Sequence, residues 1–200
     1  MQKIILASSS PRRKQILESL GIPFEVIHSS VEEKIDVDNS PYELVKILSE
    51  KKAKAVLDKV GGPAVIIGAD TVVADMGRIL SKPKSREEAA KMIRQIQGRR
   101  HSVYTGNCLI FVKEDGSFEE EVFVDCTEVT FNKMTIEEIE MYVSTGEFED
   151  KAGGYGIQGK ASLFVDSIMG NYSTVVGLSV PLIYDCLKRH GIQILELMKR

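Results

Sequence analysis

Ser8-Ser9-Ser10-Pro11-Arg12-Arg13 follows the apolar run Ile4-Ile5-Leu6-Ala7 and precedes residues 14–20, whose apolar positions fall at helical spacing before Gly21. Serine followed by proline marks a helix start, so Ser10 reads as the N-cap and Pro11 as the first helical residue. Arg12 and Arg13 then fall in the first turn, where the helix dipole is positive and disfavours cations. Two arginines there make sense beside an anion. Free amide N–H groups, serine hydroxyls and two guanidinium forks together would clamp a phosphate. Asp70 is the second candidate. It follows the continuous apolar run 64–69 and reads as the end of a buried strand. Ligands of open α/β sheets collect outside the carboxyl ends of strands. A carboxylate there could hold a hard divalent cation or orient a water, with the Thr71 hydroxyl beside it. Taken singly, each feature also has a plain structural reading: a solvated helix start, and an aspartate that opens a turn.

Other residues gain meaning only in company with these. Val31-Glu32-Glu33-Lys34 is a charge run that could supply Asp70 with a carboxylate partner at a metal. Lys51, Lys52 and Lys54 lie on one long helix, and spacing alone does not say which enters a site. Lys82 is followed by Pro83, which stiffens its backbone. His101 has no second histidine at metal-ligand spacing and reads as structural. Residues 154–159 match GxGxxG literally, but the polar stretch 148–152 precedes them where a dinucleotide fold needs a buried strand. The match is rejected, and the glycines are expected to let a ligand approach the backbone. Gln158 offers an amide donor and acceptor that could match the N3–H and O4 of uracil or thymine. No Ser-His-Asp or Cys-His nucleophile stands out. Cations plus carboxylates suit metal-assisted attack of water on a phosphate chain.

The elements that must carry these groups alternate at first. Strands are expected at 4–7, 24–28 and 64–69, and helices at 11–20 and from Tyr42 to about Val60. A hairpin turns at Asp75-Met76-Gly77, and Ser85 opens a helix that runs to Gly98. Two long strands, 102–112 and 120–131, flank Asp115-Gly116, and Thr135-Ile136-Glu137-Glu138 is a capping box. A last helix spans 179–190. The pattern is α/β with a mixed sheet. Two hundred residues, 43% of them apolar, suffice for one such domain or two small lobes. A net charge of −3 excludes an evident nucleic-acid binder. No apolar run approaches a membrane span. The three cysteines, Cys108, Cys126 and Cys186, match no zinc or redox pattern. Cys108 and Cys126 are expected in the core, and the odd count points to a reducing compartment, the cytoplasm.

Taken in order, residues 8–13, Glu33, Lys52, Gly68-Ala69-Asp70-Thr71, Lys82-Pro83, residues 101–106, residues 150–159 and the closing segment 170–178 resemble the Maf family of nucleoside triphosphate pyrophosphatases. Residues 150–159 look like the branch acting on dTTP and UTP. Ser179-Val180 departs from the family, which commonly has proline there. The resemblance implies one Maf-like domain over 1–200. Its fold would be α/β, an elongated mixed sheet flanked by helices with two lobes around a central cleft, similar to inosine triphosphate pyrophosphatases. It implies release of pyrophosphate from dTTP or UTP, or from modified pyrimidine nucleotides, with Mg²⁺ or Mn²⁺, by a cytoplasmic homodimer. Asp70 would be catalytic and, with Glu33, hold the metal. Ser8, Arg13, Lys52 and Lys82 would bind phosphate, and Arg12, Thr71 and Gln158 would govern substrate choice. The alternatives are a nucleotide-binding regulator of cell division without significant catalysis, and a house-cleaning pyrophosphatase for modified purine nucleotides.

Overall fold

A computed structural model of the chain describes residues 3–31 and 39–197. Its strands are β1 (Lys3–Leu6), β2 (Glu25–Val26), β3 (Ala64–Asp75), β4 (Arg78–Leu80), β5 (Arg100–Val112), β6 (Phe118–Phe131) and β7 (Val165–Met169). They form one seven-stranded sheet in the order β2-β1-β3-β5-β6-β7, with β4 paired to β3. The sheet is mixed: β1 runs parallel to β2 and β3, while β3–β4 and β6–β7 are antiparallel. The helices are α1 (Pro11–Ser19), α2 (Pro41–Lys54), α3 (Arg86–Ile96), α4 (Ile136–Ser144), α5 (Tyr172–Val176), α6 (Val180–Arg189) and α7 (Ile194–Leu197). The expected mixed sheet flanked by helices is thus observed.

The residues group into two compact units, and β3, β5 and β6 contribute to both. The first holds residues up to Asp70, Thr105–Asp125 and the chain from Gly177. Its strands alternate between two cores, as the two-residue period of a strand requires. Ile4, Leu6, Val65, Ile67, Leu109 and Phe111 pack with Leu17 of α1 and Ile183 and Leu187 of α6. Ile5, Ile66, Cys108 and Ile110 face the other way, with Ala53 at the end of α2. Burial on both faces explains why the sequence shows an unbroken apolar run rather than alternation.

The second unit holds Thr71–Tyr104 and Cys126–Val176. Met76 and Gly77, with φ of 49° and 77°, form the two-residue turn between β3 and β4. Ser85 caps α3 by accepting from the Glu88 amide, and Thr135 and Glu138 complete the expected capping box on α4. His101, Phe131 and Tyr155 meet edge to face in the interior.

Several expectations change. α2 stops at Lys54, followed by a 3₁₀ turn at Leu57–Lys59, so the helix is shorter than its periodicity suggested. α5 and the short α7 were not expected, and α6 is not the last helix. Cys126 is exposed rather than in the core, since along β6 it is the next residue, Thr127, that is buried. Asp70 does not end a strand. It sits inside the twelve-residue β3, which continues to Asp75.

Candidate functional site

The site is built where β1 stops. β1 pairs with β3 only as far as Leu6 opposite Ile67, with a last bond from the Ala7 amide to the Ile67 carbonyl at 2.9 Å. β3 runs on without that neighbour. The parallel register therefore sends the chain off β1 into Ser8 at the level where β3 enters Gly68-Ala69-Asp70. Asp70 lies beyond the carboxyl end of β1, although it lies within β3.

Asp70 and Lys52 form a buried ion pair. Lys52 Nζ stands 2.6 Å from Asp70 Oδ1, and both side chains are 9% exposed. Of the four lysines on α2, Lys46, Lys51, Lys52 and Lys54, Lys52 is the one that is buried. Lys51 is exposed, and Lys54 pairs with Glu50 and Glu120. Two glycines make the approach possible. A Cβ on Gly68 of β3 would meet the Ser49 carbonyl at 2.5 Å and the Ala53 amide at 2.6 Å. A Cβ on Gly106 of β5 would meet the Val45 carbonyl at 2.2 Å. α2 thus rests backbone to backbone on the sheet, with Lys52 one residue before Ala53. A glycine inside an apolar strand is a readable signal of close approach, but it gave no role in the sequence.

The arginine turn is built as expected at Ser10 and Pro11, but its two arginines differ. Ser10 caps by conformation alone, without a side-chain bond, and its amide donates to Ser8 Oγ at 3.1 Å. Arg13 is buried. Its Nε donates to the Gly177 carbonyl at 2.8 Å and Nη1 to Ser8 Oγ at 3.3 Å. Arg13 therefore ties the start of α1 to the segment before α6, and so fixes Ser8. Arg12 is half-buried. Sequence reasoning missed Gly177 because the partner lies 164 residues away. Ser179 also finds its reason: its amide donates to Asn107 Oδ1 at 3.2 Å, a bond proline could not make.

The remaining candidates lie in the second unit or outside the described residues. Thr71 is half-buried, and Lys82 and Gln158 are exposed. Glu33 falls outside the described residues. Around Gln158 three glycines sit close against the protein's own side chains, whereas a Cβ on Gly154 would have no contact nearer than 3.7 Å. A Cβ would meet Val73 at 2.9 Å from Gly153, Lys151 Cε at 2.7 Å from Gly156, and the Glu147 carboxylate at 2.4 Å from Gly159. The loop is anchored by Tyr155, whose hydroxyl lies 2.7 Å from His101 Nε2.

His101 is 3% exposed, and its Nδ1 has no hydrogen-bond partner. Burial pushes its pKa down from 6.5 to about 4, Asp75 opposes the change, and Arg99 adds to it. The histidine is held neutral, while the unfolded chain takes up a proton below 6.5. Stability is therefore complete above pH 6.5 and declines as pH falls towards 4. The loss should reach about 3 kcal/mol, because each tenfold weakening of proton affinity is worth about 1.4 kcal/mol. Urea unfolding of the protein and of His101→Gln across that window checks this. The variant should show a flatter profile, and parallel profiles would refute the assignment.

The family model described as "Maf-like protein" matches residues 3–190. The chain belongs to the Maf-like family. Among relatives of this Maf-like protein, one from Bacillus anthracis named "dTTP/UTP pyrophosphatase" is 46% identical over 194 residues, covering 97% of this chain and 98% of its own. A protein of the same name from Alkaliphilus oremlandii is 46% identical over 190 residues, covering 95% and 97%. A solved HAM1 protein from Coxiella burnetii aligns over 94% of this chain and all of its own, at 16% identity and a TM-score of 0.46. No described helix of this Maf-like protein is long and apolar enough to cross a membrane.

Proposed function

We propose that this Maf-like protein hydrolyses dTTP and UTP to the monophosphate and pyrophosphate. The observation that carries the reading is 46% identity, over nearly the whole of both chains, with relatives named for that activity. The structure supplies a carboxylate suited to it: Asp70, buried and oriented by Lys52, beyond the end of β1. Water attacks the α-phosphorus, the bond to the bridging oxygen breaks, and the water proton passes to Asp70. Ser8 and Arg13, locked together, present hydroxyl and guanidinium to the phosphate chain, with Arg12 beside them in the first turn of α1. Lys52 then shares its ammonium between Asp70 and a phosphate oxygen. By the family resemblance Lys82 would also bind phosphate, and Thr71 follows Asp70 along β3.

A divalent cation fits this donor set. Mg²⁺ is characteristically held by one or two carboxylates together with substrate phosphates rather than by an all-protein cage. Asp70 is such a carboxylate, buried beyond the end of β1. Asp70 and Glu33 would hold the ion, and it would neutralise charge on the phosphate chain. A cytoplasmic homodimer acting on free nucleotides, not nucleic acid, accords with the family resemblance and the net charge of −3.

Gln158 is the base-reading residue in this scheme. CTP carries an amino group at position 4 and no N3–H, so it presents mismatched partners to the amide. Purified protein with Mg²⁺ and the ordinary triphosphates should release pyrophosphate from dTTP and UTP, and at least about 10-fold less from CTP. Gln158→Ala should narrow that ratio. Release of orthophosphate instead would refute the reaction, and an unchanged ratio in the variant would refute the role of Gln158.

A further inference from the structure

We propose that Cys186, His190 and Glu121 form a binding site for a zinc-class divalent cation at the C-terminal end of α6. Cys186 and His190 are four residues apart, so one helical turn places them on the same face. Glu121 reaches them from β6. One ligand atom from each, a sulfur, a ring nitrogen and a carboxylate oxygen, lies within 4.8 Å of the others. Among the described residues this is the one such group of three. Ligands sharing one zinc stand about 3–4 Å apart, given bond lengths near 2.0–2.3 Å, so small side-chain rotations close the site.

The surroundings orient the ligands as a metal site requires. The Phe111 ring stacks on His190 at 3.6 Å and 11°, which fixes the plane of the imidazole. His190 Nε2 faces Glu121 Oε1 at 2.7 Å. On the other side of the ring, Glu119 Oε2 stands 3.8 Å from Nδ1. A carboxylate behind the far nitrogen is the usual support of a ligating histidine. Arg189 Nη2 donates to Glu121 Oε2, which leaves Oε1 as the oxygen turned to the site. The C-terminal end of α6 carries partial negative charge and favours a cation. Sulfur and nitrogen donors select a borderline-soft ion such as Zn²⁺ over Mg²⁺. On binding, the thiol proton leaves to solvent as the sulfur–metal bond forms, and water completes the coordination. Cys186 is fully buried, while His190 and Glu121 are half-buried, so the ion has a way in. The bound ion would pin α6 to β6 within the first unit.

The full chain, stripped by a chelator and kept reduced, is titrated with Co²⁺ and then Zn²⁺. One equivalent of Co²⁺ should give a thiolate-to-metal charge-transfer band that Zn²⁺ abolishes, and micromolar Zn²⁺ should raise the melting temperature. Cys186→Ser should lose the band, and Cys126→Ser should keep it. Glu119→Gln and Glu121→Gln, both outside the apolar core, should weaken Zn²⁺ affinity by about 10–100-fold. These two variants decide the matter if Cys186→Ser does not fold. Absence of the band, its survival in Cys186→Ser, binding at millimolar Zn²⁺ only, or unchanged affinity in Glu121→Gln would overturn the proposal.

Discussion

Asp70→Asn should fold and fail to turn over. General acid–base groups contribute about 10²–10⁴-fold, and asparagine removes that contribution while keeping the shape. Lys52 then faces a neutral amide oxygen in a pocket where its side chain is 9% exposed. The weakened bond should cost about 1–3 kcal/mol, which a domain of ordinary stability survives. The measurement is kcat on dTTP with Mg²⁺, beside thermal unfolding of the same sample. Turnover near that of the unaltered protein, from a folded variant, would remove Asp70 from the chemistry.

Lys52→Met should be the most destabilising single change at the site. It leaves Asp70, 6% exposed, without the cation 2.6 Å from its oxygen. Removing one partner of a buried ion pair costs about 3–5 kcal/mol. For a chain of this size that lowers the melting temperature by roughly 6–20 °C. The double variant Lys52→Met with Asp70→Leu should regain most of the loss, because two apolar groups need no mutual compensation. It should remain inactive. A double variant no more stable than Lys52→Met would show that the pair does not carry its energy as an ion pair. Together the two experiments separate what Asp70 does for the reaction from what it demands of the fold.

What the sequence revealed of this site was local. Ser10 before Pro11 located the start of α1, and Thr135 with Glu138 located α4, because caps act within one turn. The unbroken run before Asp70 marked a strand buried on both faces. Its end was misjudged, because β3 runs on beside other partners after β1 stops, and a strand's length depends on neighbours remote in the chain. The choice among Lys51, Lys52 and Lys54 was illegible for the same reason. Gly68 and Gly106 determine how α2 lies on the sheet, and they sit far from the lysines in sequence. The bond from Arg13 Nε to a carbonyl near the other end of the chain was illegible too, because its partner is remote in sequence. In the second unit the packing of Gly153, Gly156 and Gly159 against Val73, Lys151 and Glu147 was equally illegible, because Val73 is remote in the chain and spacing does not show where the Lys151 and Glu147 side chains fold back.

The bare contact of α2 with β3 and β5 bears on how this protein can change. Gly68 and Gly106 have no room for even a methyl group, and what they touch is main chain that cannot swing aside. Adaptation at those positions is closed off, because any added atom would lift the helix that delivers the lysine. New substrate preferences must therefore arise from side chains elsewhere, around a seam whose backbone contacts leave no slack.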